Sequence, residues 1–370
     1  AKVLSRGSLS AEAIAKIEDR KLRISKTDNW PDHFPIGFTL KFGGNQSFST
    51  NIHGWDNDAE ELILEDPLPA EVDLPVAVEL ASGWEAPVLG MRLILARQGL
   101  DWKSVVTEMR LATTRCTNAL LEGKGTEPVL FITSGFGNLL EIGDQRRLGL
   151  FDLLPQKRKN LTEDTIEIDE RIDRDGHVLT APNYQEIKKM ANDLVSSGKR
   201  NAVISFFHSC RNPEHEIQVA EILSEAGFRK VVVSSSIYNF PKWLPRLESG
   251  VVEAYLSDVL DHYLDQVQDA LGQPDSLRVM SSTGGLQKRS KYRAIDSLLS
   301  GPAAGVVGAG SIAKSAGFQD FINLDMGGTS TDVSRYSGHY GYQSPHQVGD
   351  ARIASTSLKI ETVAAGGGSI

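Results

Sequence analysis

The chain has 370 residues, long enough for two or more domains and a large buried core. An apolar share of 40% and a charged share of 24% are those of an ordinary globular protein, and a formal charge of −9, from 39 basic and 48 acidic residues, argues against a nucleic-acid-binding surface. No apolar run reaches membrane-span length, no signal-peptide core opens the chain, and Cys116 and Cys210 are too few for a disulfide framework, so a cytoplasmic protein with two free, non-catalytic thiols is expected.

Residues 1–82 read as a small β-rich module. Lys21-Leu22-Arg23-Ile24-Ser25 and Phe38-Thr39-Leu40-Lys41-Phe42 alternate, Gly43-Gly44-Asn45 reads as a turn, and Pro67, Pro69 and Pro75 precede a strand-like run from Val76 to Leu80. From Gly83 the pattern changes. Trp84 to Ala96 has helical spacing with Pro87 near its start. After a short strand, Met109-Arg110-Leu111, the hydroxyls of Thr113 and Thr114 stand where a helix containing Cys116 and Asn118 needs its caps. Val129 to Thr133 reads as a strand and Ser134 to Gly143 as a turn or helix start. Ile166 to Arg171 and Val178 bracket Arg174-Asp175-Gly176 as a hairpin.

From Asn183 helices and apolar strands alternate. Helices are expected from Tyr184 to Val195, from Pro213 to Ala226 and from Val251 to Leu271. The spacing predicts an α/β layer whose strands at about 202–207, 231–234 and 277–281 lie in one sheet. His208, directly after a buried strand, reads as a core or capping residue. Gly301-Pro302 starts a helix rich in small residues, among them Gly305, Gly308 and Gly310. Their poor helix propensity points to a close approach of helix and strand.

The most informative stretch is Phe321 to Ser334. An apolar run ends in Asp325, two glycines follow, then three hydroxyl residues and Asp332. Val333 to Tyr336 and His339 to Gln343 read as short strands joined by Ser337-Gly338, so the glycines sit in a strand–turn–strand. A P-loop needs a Lys-Ser/Thr pair opening a helix and a dinucleotide fingerprint a third spaced glycine; neither is present. A Gly-Gly hairpin brings bare backbone N–H groups of Gly327 and Gly328 up to phosphate oxygens. Thr329, Ser330 and Thr331 add hydroxyls, and Asp325 at the strand end is placed to hold magnesium through water. An ordinary tight hairpin would leave both aspartates unexplained. Near the end, Gly366-Gly367-Gly368 reads either as a nucleotide contact or as a sharp turn.

Asp-x-Gly-Gly-Thr-x-Thr-Asp at 325–332 resembles the phosphate motif of the actin, sugar-kinase and heat-shock ATPase superfamily. The longer string resembles its ATP-dependent hydantoinase A and 5-oxoprolinase branch, as do Gly135 to Gln145, Leu150-Phe151-Asp152-Leu153 and Ser300 to Ala309. A string similar to Thr113 to Asn118 lies near the active cleft of hydantoinase-like proteins, so Thr113, Thr114 and Asn118 are substrate-site candidates as well as cap candidates. The resemblance runs from about Gly83 to Ile370. It implies an α/β actin-like ATPase with ribonuclease-H-like lobes, in which 83–182 completes a first lobe, 183–370 forms a second, and 1–82 is the added β module. One phosphate hairpin is found where two are implied, so the chain resembles a fragment cut at both ends.

The implied chemistry is ATP-dependent hydrolysis of a small cyclic amide, of 5-oxoproline or N-methylhydantoin type, through carbonyl phosphorylation. Asp325 would organise Mg2+, Gly327 to Thr331 would bind phosphate, and Asp332 would orient hydroxyls or water. A hydantoinase B-type subunit or fused domain, within a homo- or hetero-oligomer, is the implied partner, with no nucleic acid or membrane. The alternatives are the ATPase subunit of a related acetone- or acetophenone-type carboxylase, and a nucleotide-binding assembly subunit without turnover.

Overall fold

Strict alternation of apolar and polar residues closes the N-terminal strands into a barrel. In the computed structural model, which describes residues 3–26, 28–43, 48–70, 72–106, 108–145, 160–162, 164–273, 275–327 and 330–368, six antiparallel strands take part. They are β1 (Ser8–Glu18), β2 (Lys21–Lys26), β3 (Thr39–Phe42), β4 (Ser49–Asp56), β5 (Glu61–Leu64) and β6 (Val76–Ala81), in the order β1-β2-β5-β4-β3-β6, with β6 pairing back to β1. Closure leaves no free sheet edge. Leu22, Ile24, Leu40, Leu62 and Leu80 fill the interior and are fully buried. The expected β-rich module is therefore a closed barrel. The helix Ala86–Arg97, with proline in its first turn, adds Leu89 and Leu93 to the same core. This barrel belongs to one of two compact units, Ala1–Leu111 with His262–Arg278; the other comprises Ala112–Asp261 with Val279–Ile370.

The second unit is built on a four-stranded sheet in the order Lys230–Val233, Asn201–Ser205, Val129–Thr133, Thr165–Ile168, all parallel. The two central strands are buried at every position, because helices cover both faces. Tyr184–Ser196 and Glu214–Ala226 pack Ile187, Ala191, Val219 and Leu223 on one face. On the other, the helix Trp243–Leu271 packs Trp243, Leu247, Val251 and Ala254. Gly227, in the left-handed conformation (φ 105°), ends its helix as expected of a C-terminal glycine.

Two expectations need correction. Leu277–Met280 is not in this sheet but in a separate three-stranded one. Its residues alternate between buried and half-buried, with Arg278 at the second position, whereas the central strands are buried throughout. Ile166 to Ile168 pairs in parallel with Val129–Thr133 instead of joining the hairpin; only Arg171–Ile172 turns back on Val178–Thr180.

A further antiparallel sheet joins Asp320–Met326, Thr331–Ser337 and Glu361–Val363. Tyr342–Gln343 pairs with Ser357–Leu358, so the turn at Gly338 (φ 74°) leads away from the hairpin strands after one isolated bridge, Tyr336 to Tyr340. Among the described residues no helix is long and apolar enough to cross a membrane.

Candidate active site

The hairpin has a face set by its register. Phe321, Asn323 and Asp325 lie opposite Tyr336, Ser334 and Asp332, and side chains two apart on a strand share a side. The small-residue helix Ser300–Ser315 packs on this side. A Cβ added to Gly310 would crowd Tyr340 Oη and lie 3.2 Å from Phe321 Cζ, and one on Gly305 would lie 3.2 Å from Asp325 Oδ2. Helix and strand therefore run in opposite senses, with the aromatic pair Phe321–Tyr336 (centroids 4.9 Å, stacked) at one end and the two aspartates at the other. The aspartate end lies toward the helix N-terminus, where the helix dipole favours negative charge.

Asp325 and Asp332 are a direct cross-strand pair. Like charges in that relation repel, so a bound cation between or beside them is the arrangement that offsets the cost. Asp325 is exposed and reachable, while Asp332 accepts the Thr362 hydroxyl at 2.7 Å. Among the described residues no group of three or more His, Cys, Asp or Glu forms a metal cage. Two hard carboxylates fit Mg2+, which keeps several waters and takes its other ligands from substrate phosphate.

The turn is closed by Gly327 N–H donating to Ser330 O at 2.8 Å. Thr331 is buried and donates its hydroxyl to Ala365 O at 2.5 Å, and Gly367 N–H donates to Gly327 O at 2.9 Å. The Gly366 to Gly368 segment is thus stitched to the hairpin turn, and two glycine-rich backbones meet at one place. Gly328 and Thr329, expected to bind phosphate, lie outside the described residues, as does the Leu150 to Leu153 string.

Thr113, Thr114 and Asn118 divide in role. Buried Thr113 accepts the Arg115 N–H at 3.1 Å, and its backbone exchanges bonds with the Ser300 hydroxyl (2.8 and 3.3 Å), so it caps one helix and anchors the start of another. Thr114 makes no side-chain cap bond; it and Asn118 are exposed one turn apart. A Cβ on Gly301 would lie 3.1 Å from Thr114 Cγ2. Gly301 and Gly305 are four residues apart on one helix face, so Thr114 and Asp325 are served by successive turns of the same helix. Sequence reasoning noted these small residues without seeing that Gly305 faces Asp325; the Gly-x-x-x-Gly spacing was the available signal.

The sequence profile of the hydantoinase/oxoprolinase family matches residues 246–370, and that of the hydantoinase/oxoprolinase N-terminal region matches 69–227. The chain is 36% identical over 326 residues to 5-oxoprolinase 1 of Arabidopsis thaliana (80% of this chain, 26% of that protein). It is 34% identical over 327 residues to 5-oxoprolinase of Saccharomyces cerevisiae (77% of this chain, 25% of that protein). It therefore spans about a quarter of the length of these relatives. Among solved structures, nucleotide-free acetone carboxylase superposes with a TM-score of 0.67 at 22% identity, covering 76% of this chain and 43% of that one. ATP-dependent caprolactamase from Pseudomonas jessenii superposes at 0.66 and 24% identity, covering 90% and 48%. These two likenesses show a shared fold. With two profiles of one family matching most of its length, the chain belongs to the hydantoinase/oxoprolinase family.

Proposed function

We propose that the protein is the actin-like ATPase part of an ATP-dependent cyclic amidohydrolase acting on a 5-oxoproline-type ring. The observation that carries this reading is the Asp325–Asp332 pair at a bare glycine hairpin, beside a helix that carries glycine where Asp325 approaches. An amide in a small ring is resonance-stabilised and opens slowly in water. When bound, MgATP supplies the phosphoryl group that turns the carbonyl oxygen into part of a leaving group. The chain's own residues position and exclude. Asp325 would hold hydrated Mg2+, the Gly328 N–H and the hydroxyls of Thr329 and Ser330 would line the phosphates, and Asp332 would orient a water or hydroxyl; the Gly327 N–H and the Thr331 hydroxyl, expected to meet phosphate, instead brace the turn through Ser330 O and Ala365 O. Gly366 to Gly368 close the nucleotide side, and Thr114 and Asn118 face the substrate with Thr113 as their anchor. A hydantoinase B-type subunit or domain completes the reaction within an oligomer in the cytoplasm.

The test is Asp325→Asn, which keeps the shape and removes one negative charge. Steady-state ADP release with L-5-oxoproline by the full-length protein and its partner should fall roughly a hundredfold or more, the scale of losing one preorganised electrostatic group. Nucleotide affinity by calorimetry should change far less, because backbone donors still hold the phosphates. Unchanged turnover sinks the metal role. ADP release that needs acetone and bicarbonate instead of a ring would transfer the same hairpin to a carboxylase.

A further inference from the structure

The strand Glu361–Val363 adds a third member to the aspartate pair. It pairs antiparallel with Thr331–Ser337, placing Thr362 opposite Asp332, just as Asp325 lies opposite Asp332 on the other side. Residues directly opposite across a ladder point to the same face. Asp325, Asp332 and Thr362 therefore form one row across three strands, on the face that the helix Ser300–Ser315 approaches at Gly305. The rows on either side, Leu324–Val333–Glu361 and Met326–Thr331–Val363, point to the opposite face.

The two carboxylates of this row are not equivalent. Asp325 is exposed and takes no hydrogen bond among the described residues, so it is free to turn toward a cation. Asp332 Oδ1 accepts the Thr362 hydroxyl at 2.7 Å. That hydroxyl has a single proton, and it is spent on Asp332.

The donor itself is held in place. A β-branched side chain has few χ1 choices, and the backbone of residue 362 is fixed by the ladder. Just beyond it, Ala365 N–H donates to Val363 O at 2.8 Å, the Thr331 hydroxyl to Ala365 O at 2.5 Å, and Gly367 N–H to Gly327 O at 2.9 Å. The strand is thus tied to the hairpin on both sides of Thr362. Folding does not account for the Thr362 bond, because a hydrogen bond between groups open to water adds little to stability. Its effect is on direction. With one oxygen of Asp332 fixed, the other has a set heading. A carboxylate that must aim a water or take its proton needs such a heading, whereas one that holds magnesium through water does not.

We propose that Thr362 is a positioning residue that makes the two aspartates unequal. Its hydroxyl fixes Asp332 as the carboxylate that orients the attacking group and leaves Asp325 to the metal. The inference rests on the reading of the hairpin as the ATPase site given above.

Thr362→Val keeps the branched shape and strand preference and removes only the hydroxyl. In the ADP-release assay on the full-length protein, its kcat should fall roughly tenfold or more, the scale of one hydrogen bond to a charged group. The KM for ATP and the Mg2+ concentration giving half-maximal rate should stay as in the parent, as should the melting temperature. Thr362→Ser should recover most of the rate. On an Asp332→Asn background, Thr362→Val should cost nothing further, because the two act as one unit. Full turnover in Thr362→Val, no recovery with serine, a loss that adds to that of Asp332→Asn, or a raised Mg2+ requirement overturns the proposal. Slow Asp332→Asn beside normal Thr362→Val removes this inference and leaves the hairpin reading intact. Normal turnover in Asp332→Asn removes the role given to Asp332 in that reading, and this inference with it. A crystal structure of Thr362→Val should show the Asp332 carboxylate turned from its place, and one of Thr362→Ser should show it retained. An unmoved carboxylate in the valine variant overturns the proposal whatever the turnover.

Discussion

Cys116 is fully buried on the helix Arg115–Glu122, and burial pushes its thiol up to about 12. Only the thiolate is nucleophilic, so at neutral pH this group is inert while the protein is folded. Cys210 is half-buried and also free. An aromatic disulfide reagent at pH 8 should therefore label one thiol in the native protein and two in guanidinium. Two rapid native labels would show that the helix opens readily. Replacing both cysteines by serine should leave ADP release within a fewfold, since neither lies among the groups that meet phosphate or metal. At the same scale the strand–turn–strand around Asp325 and Asp332 was legible, because two runs of strand formers flank a glycine pair, and the register sets the two carboxylates opposite each other. The setting of His208 was not, because it depends on strand order and on a positive backbone angle (φ 62°), and neither leaves a local motif.

At the scale of elements the helix Ser300–Ser315 is the part most open to test. Gly308 has nothing within 4 Å of an added Cβ, whereas Gly305 would bring one to 3.2 Å from Asp325 Oδ2. Alanine at either position gains up to about 1 kcal/mol of helix propensity. Gly308→Ala should raise the melting temperature without touching turnover. Gly305→Ala should melt no earlier than the parent and yet lose roughly tenfold in ADP release, because the carboxylate must shift. Equal turnover in the two variants would detach the helix from the chemistry. The sequence reported close helix–strand packing here, since so many glycines would otherwise weaken a helix for no return. It failed for Leu277–Met280, where a four-residue run interrupted by Arg278 names a strand but not its partner. It also misassigned Ile166 to Ile168, whose edge position gives it the half-exposed look of a hairpin strand.

For the whole molecule, two units with separate cores predict unfolding that is not a single cooperative step. Leu40 is fully buried in the barrel. Its replacement by alanine costs about 2–5 kcal/mol, and this should lower an early or late transition in the calorimeter while leaving a second one in place. A single transition that shifts as a whole would show the units to be energetically one. Within the second unit the buried carboxylate of Glu216 has a further effect. It binds the Phe206 and Ser235 amides and the Ser209 and Ser234 hydroxyls, so one side chain ties together the exits of two adjacent strands. Loops tied at one knot open together or not at all, and deuterium should therefore reach the Phe206 and Ser235 amides at one shared rate, as fast as the knot itself comes undone.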